Sequence, residues 1–76
     1  MRLSDLQNKD VVELKTGQRL GNVIDIEIND STGSIIKIIV YDRKGFISMI
    51  RGTDEIEILW DQIKKIGSDV ILVSKN

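Results

Sequence analysis

Two pairs of carboxylates lie at a spacing of two, Asp25 with Glu27 and Glu55 with Glu57, and Asp54 stands beside the second pair. Side chains at that spacing share one face of a strand. Several oxygen ligands on one face are what a calcium or magnesium ion requires. Nothing in the chain resembles the spacing of a calcium-binding loop, however, and alternating carboxylates on strands ordinarily form a solvated face. As a general acid and base, the same pairs lack a nucleophile or basic partner joined to them by motif. Histidine, the commonest general base, is absent, and so is cysteine. These exclusions point away from an enzyme, and away from a bound metal or cofactor.

Gly17 and Gly21 do not form a phosphate cradle, because G-x-G-x-x-G is missing and no strand–helix unit follows. They read as turn and bulge glycines. Lys64 and Lys65, with Arg43, Lys44 and Arg51 elsewhere, are the basic residues to weigh for RNA. Eleven Lys and Arg against twelve Asp and Glu leave a net charge of −1. A nucleic-acid binder instead carries an excess of cations that displaces counterions. One Phe, one Tyr and one Trp also leave little for base stacking. Trp60 has the chemistry of a binding anchor. In EIEILW (55–60) it falls on the side of Ile56 and Ile58, which predicts a place in the core.

Strands must position these residues. A chain of 76 residues makes a single domain, and its apolar residues are mostly Ile, Val and Leu, which suit pleated, half-buried surfaces. NVIDIEIN (22–29) alternates, with Ile24, Ile26 and Ile28 predicted inward and Asp25, Glu27 and Asn29 outward. A three-residue loop with Gly33 left-handed would pair Asp30 with Ser34. That register sets Ile28 against Ile36, Ile26 against Ile38, Ile24 against Val40, and Glu27 against Lys37. DVVELK (10–15), SIIKIIVYD (34–42), FISMIRG (46–52), EIEILW (55–60) and VILVSK (70–75) read as further extended segments. Helical turns are expected after a Ser4 or Asp5 cap, where Leu3 and Leu6 seal the core, and over DQIKKIG (61–67). In the latter, Asp61 is the predicted cap and Ile63 and Ile66 point inward. Short strands between Gly and Asx turns argue for a small antiparallel barrel or roll.

The start, MRLSDLQNKD, has charges where a signal peptide needs an apolar core. No apolar run approaches the ~20 residues of a membrane helix. A cytoplasmic protein is expected, with no membrane partner.

SIIKIIVYD has two apolar faces. Ile36, Ile38 and Val40 suit the core, which leaves Ile35, Ile39 and Tyr41 on the other side. Burying two Ile side chains contributes ~3–6 kcal/mol, comparable to the ~4–11 kcal/mol expected for the whole domain. Phe46, Ile47, Met49 and Ile50 continue the apolar character. Either the helical turns cover these residues or they meet a protein partner, which includes a second copy in a homodimer. The candidate partner-binding residues are therefore Ile35, Ile39, Tyr41, Phe46, Met49 and Ile50.

The stretch TGQRLGNVIDIEIN (16–29) resembles the signature of the PRC-barrel family: a turn glycine, Leu-Gly, then an alternating strand with an aspartate after its start. EILWDQIKKIGSDVILV (57–73) is similar to the family's closing element, a strand ending in Trp, one helical turn, Ile-Gly and a last strand. With MRLSDL and the overall length, the chain most resembles the small YlmC/YmxH group associated with sporulation. Relatives often carry proline before the Trp, where Leu59 stands here. The resemblance implies an all-β fold, a small PRC-type β-barrel of five or six short antiparallel strands with one short helical turn near the C-terminus. It implies an adaptor or assembly module without catalytic residues or cofactor, as related barrels serve the photosynthetic reaction centre H subunit and RimM. The RimM analogy supplies the alternative, a ribosome- or RNA-associated binding protein.

Overall fold

A computed structural model describes residues 1–42 and 55–74. A short helix, α1 (Leu3–Gln7), leads into β1 (Asp10–Glu13), β2 (Arg19–Ile28) and β3 (Ile35–Tyr41). After residue 54 come β4 (Glu55–Leu59), a 3-10 turn (Trp60–Gln62), β5 (Ile63–Ile66) and β6 (Val70–Val73). The predicted FISMIRG segment lies outside the described residues.

The strands form one sheet in the order β4-β3-β2-β1-β6-β5. Its two edges, β4 and β5, are separated in sequence only by Trp60–Gln62. Three residues of 3-10 geometry advance roughly 6 Å, so the sheet has to curl until its edges approach. Among the described residues no ladder joins β4 to β5, and a covalent turn bridges the seam in place of hydrogen bonds. The sheet is therefore not the closed cylinder that strand spacing suggested. Nor is it wholly antiparallel: β1 runs parallel to β6, Asp10 against Val70 through Glu13 against Val73. Parallel neighbours need a long connection, and the intervening chain supplies it.

The curled sheet encloses Val11, Leu20, Val23, Ile38, Val40, Ile56, Ile58, Ile71 and Val73, with Leu6 of α1 closing one end. The alternation in EIEIL carries over directly, since Ile56 and Ile58 are buried, and VILV, apolar on both faces, buries Ile71 and Val73. The β2–β3 hairpin is less regular. Ile26 faces Ile38 and Glu27 faces Lys37 as expected, but the register steps on either side. Val23, not Ile24, stands against Val40, and Ile35, not Ile36, stands against Ile28. Ile24 and Ile36 are thus extra residues on their strands, and such bulges add bend and twist. Ile24, Ile28 and Ile36, predicted for the core, are 39%, 49% and 38% exposed.

The hairpin loop also differs, because Asn29 rather than Asp30 closes it. The Asn29 N–H donates to the Ser34 carbonyl at 2.8 Å, and the Gly33 N–H donates to the Asn29 carbonyl at 2.7 Å. The Asn29 side-chain oxygen accepts the Ser31 and Thr32 N–H groups at 2.9 and 3.3 Å, an Asx turn that lengthens the loop. Gly33 has the predicted positive φ, 78°.

Neither helical turn begins where its predicted cap lies. Helix α1 starts two or three residues early, capped at Arg2, whose N–H donates to the Asp5 carboxylate at 2.7 Å. At the seam, Gln62 does the capping instead of Asp61: its Oε1 accepts the Leu59 N–H at 2.8 Å. IKKI is strand β5, whose register steps between Ile63 and Lys65 so that Ile63 and Ile66 both pack against the core.

At Gly21 the backbones of β2 and β3 come closest. Its φ is 139°, and a Cβ there would meet the Tyr41 carbonyl oxygen at 2.3 Å. Backbone cannot swing aside as a side chain can, so Gly21→Ala should cost roughly 2–4 kcal/mol. Gly33→Ala meets open space and should cost only about 1–2 kcal/mol for its left-handed φ. Urea unfolding of the two variants measures the gap; equal losses would contradict the close approach.

Candidate partner-binding surfaces

The outer face of β2, β3 and β4 carries the acidic pairs and part of the predicted apolar strip. Lys37 projects from β3 between Glu27 of β2 and Glu57 of β4. Its Nζ donates to Glu57 Oε1 and lies 3.8 Å from Glu27 Oε1. The hydrogen bond to Glu57, supported by the charge of Glu27, raises the Lys37 pKa above the ordinary lysine value against a smaller desolvation effect. Next along β3, Ile39 stands between Asp25 and Glu57, and Tyr41 stands between Asn22 and Glu55. Ile39 and Tyr41 are half-buried. Carboxylates therefore border this strip on both flanks. Among the described residues no three of them converge as a cation site.

Ile35 does not join that strip. The extra residue at Ile36 shifts its phase, and Ile35 lines an apolar groove at the far end of β3. The groove has a volume of about 370 Å³, and Leu3, Leu6, Ile26, Trp60 and Ile66 share its walls with Ile35. Two shallower recesses adjoin it. One is bounded by Ile36, Leu59 and Asp61, the other by Ile63, Lys64 and Lys65, and Trp60 borders both. Trp60 is 37% exposed, at the rim of the core rather than within it. The strand alternation ends at Leu59, and the 3-10 turn swings the indole out to the seam. Phe46, Met49 and Ile50 lie outside the described residues.

Sequence reasoning missed a polar cluster beside Gly21. Arg19 donates from Nε to Asp10 at 3.0 Å and from Nη2 to Asn22 Oδ1 at 2.6 Å, and its Nη1 lies 3.8 Å from the buried Asp42 carboxylate. Asn22 Nδ2 in turn donates to the Lys9 carbonyl at 3.0 Å. The cluster ties the start of β1 to β2 and to the end of β3. Its sequence signal was the R-L-G-N run, where two polar residues flank the glycine that brings the strands together. These contacts are structural: they tie neighbouring strands together and set a guanidinium near a buried carboxylate.

The turn glycine, the Leu-Gly approach and the Trp-bearing corner now stand in one fold, and residues 1–75 match the PRC-barrel domain family. The chain belongs to the PRC-barrel family. This PRC barrel is 42% identical over 71 residues to a protein of Bacillus subtilis named "Probable sporulation protein YlmC", covering 93% of the chain and 88% of that relative. It is 40% identical over 75 residues to the "Uncharacterized protein YmxH" of the same organism, covering 96% and 87%. A relative from Clostridium acetobutylicum is 38% identical over 74 residues, covering 95% and 82%. No helix among the described residues of the PRC barrel is long and apolar enough to cross a membrane.

Because the Lys37 pKa is raised by folding, its stabilising effect is complete below the unfolded lysine pKa and is lost as pH rises through the folded value. Lys37→Met should therefore lower the urea midpoint at neutral pH, with a gap to wild type that closes under strongly alkaline conditions. Added salt should narrow the same gap, since the pair is exposed. A gap that persists unchanged at high pH would contradict the ionic origin.

Proposed function

We propose that this PRC barrel is a cytoplasmic, non-catalytic docking module that acts in spore formation by binding another protein. One observation carries the reading. Leu3, Ile28, Ile36, Leu59 and Trp60 stay between 37% and 49% exposed around one end of the barrel. They adjoin one another through shared recesses and through the Ile28–Ile35 pair. Contiguous apolar surface centred on a partly exposed Trp is typical of a binding site. The Ile39 and Tyr41 strip is proposed as the second contact region, with Phe46, Met49 and Ile50 as further proposed contact residues. The relative YlmC, named a probable sporulation protein, supports the link to sporulation. Self-association through the same surfaces is the homodimeric version of this reading.

Light scattering of the purified chain separates the homodimer from a heterologous complex. For the latter, affinity capture from sporulating cells should use wild type, Leu59→Glu and Ile39→Glu side by side. A charge placed in a docking surface should weaken the retained complex by about thirtyfold or more, equivalent to ~2 kcal/mol. Circular dichroism checks that each variant stays folded. A monomer whose captured proteins are the same for all three chains would overturn the docking reading.

A further inference from the structure

The two candidate surfaces differ in charge. Asp25, Glu27, Glu55 and Glu57 border the Ile39 and Tyr41 strip, with Lys37 among them. Around the groove the balance reverses. Arg2 forms part of its wall, and Lys64 and Lys65 border the adjoining recess that shares Trp60 and Ile66. Among the described residues the acids at this end are Asp5 and Asp61. Asp5 accepts the Arg2 N–H and keeps its charge, and Asp61 borders the recess on the other side of Trp60. Lys64 reaches back toward the Asp61 carbonyl at 3.4 Å, which holds its ammonium near the indole. Among the described residues, three side-chain cations, Arg2, Lys64 and Lys65, thus stand at this end against two carboxylates.

The walls decide what fits between those cations. Leu3, Leu6, Ile26, Ile35 and Ile66 are aliphatic, and among the described residues Trp60 is the groove's single aromatic. A nucleobase seeks stacked aromatic faces and hydrogen-bond partners, and this lining supplies one such face. A leucine- or phenylalanine-sized side chain seeks apolar burial, which the lining does supply.

We infer that the groove receives one or two large apolar side chains of an acidic segment of a partner protein, with Arg2, Lys64 and Lys65 facing that segment's carboxylates. The inference rests on the docking reading above and specifies the chemistry of the partner. Basic segments are attracted to the acidic strip instead, so the two ends of the molecule discriminate by sign.

Trp60 is the only tryptophan in the chain, so its fluorescence reports on the groove directly. The probes are a short synthetic peptide with leucines between glutamates, its lysine-for-glutamate and serine-for-leucine counterparts, and a single-stranded RNA oligonucleotide. The acidic leucine peptide should shift Trp60 emission saturably, and its affinity should fall as salt rises. Both counterpart peptides should bind at least about tenfold more weakly, and so should the acidic peptide to Ile35→Glu or to Lys64→Glu/Lys65→Glu. The lysine pair is exposed, so its variant keeps the test valid should Ile35→Glu unfold. Stronger binding of the lysine peptide would overturn the acidic partner and leave protein docking standing. Saturable binding of RNA alone would overturn both. Absence of saturable binding by every probe would overturn the groove as the site, while loss of a captured partner only in Ile39→Glu would keep the docking reading on the outer strip.

Discussion

Two edge strands that sit at opposite ends of the sheet are tied together by Trp60–Gln62. That covalent link is the constraint from which the rest of the architecture follows. A flat six-stranded sheet would hold its edges about five strand spacings apart, roughly 24 Å at ~4.8 Å each. Three residues cannot reach so far, and the sheet must coil. The register steps beside Leu20, Ile24, Ile36 and Lys64 supply bend and twist. Gly21 permits the tight approach to the Tyr41 carbonyl that such coiling demands.

Coiling by bulges has a consequence at the surface. Each extra residue reverses which side chains point inward, so Ile24 and Ile36 leave the interior while Val23 and Ile35 turn toward it. The core that remains is narrow and already filled by Val11, Val23, Ile38, Val40, Ile58 and Ile71. Ile36 and the residues of the seam then gather at the end where α1 caps the barrel. The exposed apolar surface is thus the counterpart of the curvature, rather than a separate addition to the fold.

This origin explains what the sequence made legible. EIEIL, a strand without register steps, displays its buried positions as plain alternation, whereas VILV, apolar at every position, does not reveal that Ile71 and Val73 are the buried pair. Pairing of Ile26 with Ile38 and of Glu27 with Lys37 was readable because charge and burial agree there. NVIDIEIN misled because Ile24 to Asn29 alternate cleanly and set the phase, and the one local mark of the inserted residue is the adjacent apolar pair Val23-Ile24. IKKI looked like a helical turn because Ile63 and Ile66 share a side at a spacing of three. A bulge at Lys64 gives a strand that same spacing. The acid-flanked strip was visible in the sequence; the groove was not, because Leu3, Ile35, Trp60 and Ile66 meet only once the edges are brought together.

The location of the groove also bears on stability. Its walls come from α1, β2, β3, the 3-10 turn and β5, so one bound side chain would touch elements on both sides of the seam. No ladder among the described residues crosses between β4 and β5. The contacts near the junction are the packing of Trp60, the Gln62 cap on Leu59, and the Ser74 N–H donating to the Gln62 carbonyl at 2.8 Å. A ligand that bridges the seam binds the folded state alone and raises its stability by mass action. In a domain with so thin a core, whose total stability is about 4–11 kcal/mol, even a micromolar partner present at a hundred times its Kd would add about 2.7 kcal/mol. Docking of the proposed kind would therefore couple to folding through the same few residues, across a seam that no ladder among the described residues closes.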